Sequence, residues 1–454
     1  MLPAFEVVAR HRPVAIVGTP VAPPAADGAG EVPLPLLAPF GAVEAALSGS
    51  GSAGAARLEL AGADGTRLTA DLEAGRATLG VTVDGDERTF RSRRHGRVRG
   101  TPDRVALTLT GSHLAVLVQE SGRWLVRGRV DLRDAGGPDV RDPGWLGALT
   151  ARWSGDVAQA QAGGFGQLGL RDIRVVTHAN GSPYREDGTV LLSATSAGPG
   201  FFDTAHTSVW ALAPDHTVQH RADLFFRRSD RPGAWGDHAT HVVRDGDRWL
   251  VATSTWSGFP DAPADRATAR VGVTLATTTA DVTRGQHLLT TRPLDLPTDG
   301  PSVGVWDPHL VRDDDGSWLV GYVSARRFFD FHPVLAAGSS LAELTLRGAA
   351  TDRRATEGTT LLRTADGWRV LASDGRGNRR ARRGRYPVFD GALRDVGTLR
   401  APYPTNIPWP TVVPPHPDEP GEGWRLVTFD GTPTGGRLAG YGTHGDLVVM
   451  AATD

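Results

Sequence analysis

The chain has 454 residues, with 49 Lys+Arg against 51 Asp+Glu and no cysteine. A formal net charge of -2 lacks the basic excess of a nucleic-acid-binding protein, and no stretch reaches the ~20 apolar residues of a membrane-spanning helix, so neither partner is expected. The absence of cysteine excludes disulfides, thiolate metal sites and a thiol nucleophile. All the basic residues are arginine, a coding bias that carries no function. The N-terminus shows no basic segment followed by a continuous apolar run; a cytoplasmic protein is expected, or a secreted one if the N-terminus has been trimmed. With 57 Gly, 32 Pro and Trp, Val and Thr in short runs, the chain reads as all-β.

Residues 1–40 read as an irregular segment, rich in Pro, Ala and Gly over 20–35. From 41 to 160 apolar residues alternate with polar ones at period 2. Leu58–Leu60, Leu79–Val83, Leu107/Leu109, Leu114/Val116/Val118 and Val126/Gly128/Val130/Leu132 carry that pattern. This predicts a β-sandwich of half-buried antiparallel sheets, a concanavalin-like jelly roll. The small-residue stretch "AQAQAGGFG" (158–166) is expected to mark the domain boundary.

Beyond it a unit repeats: a polar head, an apolar pair, a turn, then apolar residues led by Trp in four of the five copies. It occurs as "RDIRVVTHANGSPYREDGTVLLSAT" (171–195), "WGDHATHVVRDGDRWLVATST" (235–255), "VWDPHLVRDDDGSWLVGY" (305–322), "EGTTLLRTADGWRVLASDG" (357–375) and "IPWPTVVPPHPDEPGEGWRLVTFDG" (407–431). Each copy is a hairpin with its turn. The second-strand leaders Val190, Trp249, Trp318, Trp368 and Trp424 lie 59, 69, 50 and 56 residues apart. That period predicts a five-bladed β-propeller over 166–454; a lone sandwich has no reason to repeat five times.

The starts of innermost propeller strands converge at one mouth. Asp307 lies eleven residues before Trp318, and Glu357 eleven before Trp368, so the two carboxylates are expected at matching places facing the axis. Asp172 heads the first blade. A turn or strand cap explains any one of these acids, but not the matched register. Three acids around one mouth repel each other and raise at least one pKa, which gains the fold nothing.

An Asp at the first inner strand, "DP…DDDG.W" in the third blade and "EG" in the fourth resemble the family 43 glycoside hydrolases and their five-bladed relatives. The resemblance implies an inverting glycosidase acting on an oligosaccharide or glycoside such as an arabinofuranoside or xyloside. It implies Asp172 as general base, Asp307 as the helper that tunes the acid and orients substrate, and Glu357 as general acid. It also implies a calcium or sodium ion in the central channel near a histidine, approached by His241 or His309 through water, although no cofactor is expected to be required. The chain departs from the family at Thr359, where a proline usually follows the glycine, and at the first blade, which lacks Asp-Pro. Asp203, in "GPGFFDTAHTS", is the reserve for the base.

Asp237, His238, Trp306, His309, Phe328 and Trp409 are expected to bind substrate, with Trp235 and Phe329 as further sugar platforms, because the CH faces of a sugar pack on flat rings. "DDDG" is too short for a calcium loop and reads as a polar turn. The arginine-rich stretch "DGRGNRRARRGRYP" (374–387) is a solvated loop, or a grip for an anionic sugar or phosphate. That keeps open a glycoside phosphorylase. A propeller that only binds glycans is the non-catalytic alternative. A fructosidase-like reading of Arg141–Pro143 is discounted: the motif falls outside the propeller, and that family's Glu-Cys pair needs a cysteine.

Overall fold

Strand-forming runs broken by glycine turns leave little room for helix. Among the residues described by the computed structural model (2–26, 28–48, 55–260, 269–328, 330–417, 422–433, 436–441 and 445–453), the one α-helix is the five-residue Pro143–Gly147, and the rest is β, short 3₁₀ turns or irregular. The chain is all-β, as its composition predicts.

Two sheets face each other in the N-terminal third. One runs, in spatial order, through Arg123–Asp131, His113–Glu120, Pro102–Thr110, Phe40–Leu47, Val157–Gln167 and Ala15–Pro20, with Ala25–Ala26 beside Val157–Gln167. The other runs through Gly30–Pro33, Thr150–Gly155, Ala56–Ala61, Arg67–Glu73, Arg76–Val83 and Asp86–Phe90. Val43, Leu107 and Val116 from the first and Leu58, Leu68 and Leu79 from the second share one core. The period-2 alternation puts them there.

Two sequence expectations need correction. Residues 1–40 are not irregular: they hold Ala4–His11, Ala15–Pro20, Ala25–Ala26 and Gly30–Pro33. Their partners lie far along the chain, which is why local pattern under-reads them. The stretch 158–166, expected to mark the domain boundary, lies inside the strand Val157–Gln167, the last of the two-sheet unit, and the first meander starts at Gly169. The small residues of the stretch allow close approach: a Cβ on Gly18 would stand 2.8 Å from the Cα of Gly166.

Apart from the two-residue strands Thr177–His178 and Arg185–Glu186, the remaining strands form five antiparallel meanders. The first is Gly169–Val175, Thr189–Ala197, His206–Leu212 and Val218–Arg227; the second is His238–Asp245, Arg248–Ser254, Val273–Thr278 and Gly285–Pro293. Parallel pairing of Ala222–Arg227 with Gly285–Thr290 fuses these two into one sheet. The third is Gly304–Arg312, Trp318–Arg327, Asp330–Gly338 and Thr345–Ala349; the fourth is Thr356–Thr364, Gly367–Asp374, Tyr386–Asp390 and Asp395–Leu399. The fifth takes Thr411–Val413, Arg425–Asp430 and Asp446–Thr453, and its outer strand is Ala4–His11 from the other end of the chain.

Apolar clusters fill the gaps between successive meanders: Val209 with Val251, Leu250 with Val320, Leu319 with Val370, Leu371 with Leu426, and Val427 with Leu170. The fifth meander thus packs on the first, and the opening strands of the meanders lie side by side. Trp249, Trp318 and Trp368, the leaders picked out by the repeat, sit in three of these clusters. The two-sheet unit shares a further core with this assembly, in which Phe40 stacks on Phe225 at 5.3 Å.

Candidate active site

Each of the first four opening strands carries the same irregularity. Its register slips between Arg171 and Arg174, His238 and His241, Trp306 and His309, and Glu357 and Thr360. The residue at the slip is left-handed in all four: Asp172 (φ 50°), Ala239 (61°), Asp307 (59°) and Gly358 (73°). Such a bulge sets two residues against one and re-aims side chains. Asp and Gly tolerate that conformation better than most residues, and Pro308, lacking an N–H, fits where the ladder is broken. A side chain at Gly358 would also meet Trp409, whose Cδ1 lies 2.4 Å from the Cβ position.

The bulges correct the register expected from spacing. Trp318 pairs with Arg312, whereas Trp368 pairs with Arg363 and Trp249 with Arg244. The third hairpin is one residue longer, so Asp307 matches Gly358 and Ala239, while Glu357 matches Trp306 and His238. Both carboxylates still reach the same space because the bulge turns consecutive residues toward it.

That space is a cavity of about 350 Å³. Asp172, Asp307 and Glu357 line it together with Arg171, His238 and Asn406. Its walls are aromatic: Phe202 stacks on Trp256 at 4.7 Å, Trp256 leans on Trp306 at 5.1 Å, and Phe259 meets Phe328 edge-on at 4.6 Å. Trp409, Phe331 and Tyr441 complete them. Spacing singled out Trp306, Phe328 and Trp409. It missed Arg171, although this residue directly precedes Asp172, and Phe202, Trp256 and Phe259, which lie on loops with no periodic signal.

The carboxyls perturb one another. Burial drives Asp307 well above the ordinary carboxylate range; the charges of Glu357 and Asp172 reinforce it, and Arg174 and the Gly358 N–H, 3.3 Å from Oδ2, oppose it. Burial and the Asp172 charge push Glu357 up to about 7, against the pull of Arg171. The indole N–H groups of Trp306 and Trp409, buried and with no geometrically formed hydrogen bond, face Glu357 and favour its charged form. The cluster therefore holds a proton near neutral pH.

Other expected site residues lie elsewhere. Asp237 is buried behind the cavity, accepting from Ser257 Oγ at 2.6 Å and Arg228 at 3.4 Å. His309 is below the cavity, stacked on His241 at 4.0 Å. Their equivalence in the repeat is real: both follow their bulge by the same interval. Trp235 packs under the guanidinium groups of Arg141, Arg228 and Arg231. Phe329 lies outside the described residues. The arginine-rich stretch is a surface loop that touches the cavity at Gly377 and exposes Arg376, Arg379 and Arg380.

The channel residues do not fit a calcium or sodium ion. The Arg174 guanidinium occupies that level, donating to the carbonyls of Asp307 and Thr359 at 2.8 Å each and to Thr360 Oγ1 at 3.3 Å. His241 accepts from the Leu310 N–H at 3.0 Å through Nδ1 and bonds Thr177 at 3.2 Å through Nε2. Hard cations need several oxygen ligands and would be repelled by a guanidinium. No cluster of three or more His, Cys, Asp or Glu placed to hold a metal exists among the described residues.

Asp203, the reserve base, is a joint between the two halves of the molecule. Ser112, at the tip of a hairpin in the two-sheet unit, gives its N–H (2.8 Å) and Oγ (2.7 Å) to one carboxylate oxygen, and Arg141 pairs with the other. The neighbouring Phe202 is thereby set in the cavity wall. The Arg-Asp-Pro stretch serves the same joint, with Asp142 capping the short helix. Asp203→Ala leaves Arg141 buried without its counter-charge. It should destabilise the protein by ~3–5 kcal/mol in denaturant titrations, while the folded fraction keeps most of its activity.

No family model matches this chain, and no curated protein matches its sequence. Its C-terminal part is similar in structure to a thermostable family-43 glycoside hydrolase (14% identity, TM-score 0.40, covering 62% of this chain and 88% of the other). It is also similar to a family 117 glycoside hydrolase from the marine bacterium Zobellia galactanivorans (11%, TM-score 0.44, 62% and 84%). A third is a family 43 enzyme from Xanthomonas citri, solved with xylose (15%, TM-score 0.39, 62% and 87%).

Proposed function

We propose that the protein is an inverting glycoside hydrolase whose five meanders are the blades of a β-propeller, with the two-sheet unit as a β-sandwich braced against it. The observation that carries this reading is the trio Asp172, Asp307 and Glu357, delivered by three different meanders to one aromatic-walled cavity, with Glu357 pushed up to about 7. A stability role does not account for three partly desolvated carboxyls facing each other. Aromatic walls suit the CH faces of a sugar, and the few polar groups between them suit its hydroxyls.

In the reaction, Asp172 takes a proton from a water as that water's oxygen bonds to the anomeric carbon. Glu357 gives its proton to the departing glycosidic oxygen as the old bond breaks. Asp307, fixed by the Gly358 N–H, orients the sugar, while burial and the Asp172 charge keep Glu357 protonated. Inversion needs the base and acid ~6.5–9.5 Å apart, with room for the water.

The test is a screen of aryl glycosides and oligosaccharides, arabinofuranosides and xylosides first, with and without phosphate, reading the product anomer by NMR. Turnover in water with inverted product is expected. Turnover only with phosphate would replace hydrolysis by phosphorolysis, and binding without turnover would leave a glycan-binding module. The pH profile follows from Glu357: kcat/KM should fall as pH rises through about 7, where the acid loses its proton.

A further inference from the structure

Arg174 is the most buried arginine among the described residues, 1% exposed, and it forms no ion pair among them. Its fork is used on backbone and hydroxyl oxygens instead. One terminal nitrogen bonds the carbonyl of Asp307 itself, and the other bonds Thr359, two residues beyond Glu357. Its plane lies against Trp409, with the guanidinium carbon 4.6 Å from the ring centre. It comes from the first meander, two residues after Asp172, so one side chain ties the three bulges that carry Asp172, Asp307 and Glu357. On its far side a cavity of about 20 Å³ is lined by Arg174, Thr177, His309 and Thr360, room for one water next to the unpartnered Arg174 Nε and His309 Nδ1. Arg174 closes the channel beneath the carboxyls.

Taking the glycosidase reading as its premise, we propose that Arg174 is the channel's own cation and a positioning residue. Its planar fork holds the Asp307 and Glu357 bulges at a fixed spacing, in the place where a bound metal would otherwise be needed. Lysine cannot do this: an ammonium is a point charge, whereas the guanidinium reaches two carbonyls in one plane. The positive charge also works against the repulsion that three clustered carboxyls generate.

The experiment replaces Arg174 by Ala and adds guanidinium at millimolar concentration, below its denaturing range, against matched sodium and calcium chlorides. Thermal unfolding and kinetics are both read. The variant should melt lower and lose about 10²-fold in kcat with a much smaller change in KM, the signature of misplaced catalytic groups rather than lost binding. Guanidinium should restore part of both, and the metal salts should restore neither. Equal rescue by sodium or calcium would overturn the proposal, as would melting-point rescue without any recovery of kcat. So would a wild-type protein whose melting point rises with calcium or falls with EDTA. Should the Ala variant not fold, Arg174→Lys decides: the proposal expects a kcat loss that persists despite the retained charge, and full activity refutes it. The thermal arm needs no substrate, so failure of the channel assignment is separable from failure of the glycosidase reading.

Discussion

Glu357→Gln should lose ~10²–10⁴-fold in kcat on glycosides with poor leaving groups and far less on activated aryl glycosides. The substitution keeps the size and hydrogen-bonding capacity of the side chain and removes only the transferable proton. An aryl oxide with a low pKa leaves without protonation, and a sugar alkoxide does not. Equal losses on both substrates would remove Glu357 from the role of acid. The same variant has a second signature that needs no substrate. The native pKa of Glu357, about 7, lies above its ordinary 4.5, so the folded protein binds that proton more tightly than the unfolded chain. The associated stability is complete below the ordinary value and is lost as pH rises through about 7. Glutamine does not titrate. The variant should therefore gain on the wild type in thermal unfolding as pH is raised across this window, and a constant difference would show that Glu357 is not buried as a neutral group.

Deleting residues 2–13 should cost more stability than any single substitution considered above. Ala4–His11 forms the outer strand of the fifth meander, paired from Ala4 with Thr453 to His11 with Leu447 across one bulge between Val7 and Ala9. Phe5 fills a cluster with Leu371, Tyr386 and Met450, and Arg10 and Arg12 pair with Asp430 and Asp446. Loss of the Phe5 ring alone, as Phe5→Ala, should cost ~3–5 kcal/mol. The deletion adds an unpaired edge on Asp446–Thr453, a template for pairing with another chain. Size-exclusion chromatography should show the variant as aggregate or swapped oligomer, and a synthetic peptide of residues 2–13 should return it toward monomer-like stability. A deletion variant as stable as the full chain would make the strand ornamental. Truncation at residue 160 carries the same defect, so it tests this strand as much as the two-sheet unit.

What the sequence made legible was whatever repeats locally. Trp249, Trp318 and Trp368 marked second strands because each fills the gap between neighbouring sheets, whereas Trp424 stands half-buried just ahead of Arg425–Asp430. The acids stood out because nothing in a β-strand calls for them. The spacing argument brought Asp307 and Glu357 to one cavity through a register one residue off, since hairpin length is set by turn chemistry that the Trp-to-acid interval ignores. Residues that act at long range were hidden: Ala4–His11 finds its partner at the far end of the chain, and Asp203 looked like an acid over a mouth until Ser112 and Arg141 were seen around it. His309 and Asp237 were drawn in by proximity to the motif, although their side chains turn to the core. Arg174 was invisible as a functional residue because an arginine inside a strand normally reaches for solvent.

The pairing of Ala4–His11 with Asp446–Thr453 also fixes an order of events during synthesis. At ~5–20 residues per second, the ribosome takes roughly 20–90 seconds to deliver the second of these strands after the first. Through that interval the early strand has no sheet to join, and its Phe5 stays wet. The two-sheet unit, whose strands lie within residues 15–167, is complete long before. Ala4–His11 stays unpaired beside that finished unit and is taken up only when Asp446–Thr453 appears. Closing of the fifth meander therefore comes late in synthesis, and until then Ala4–His11 stays open to proteases and chaperones.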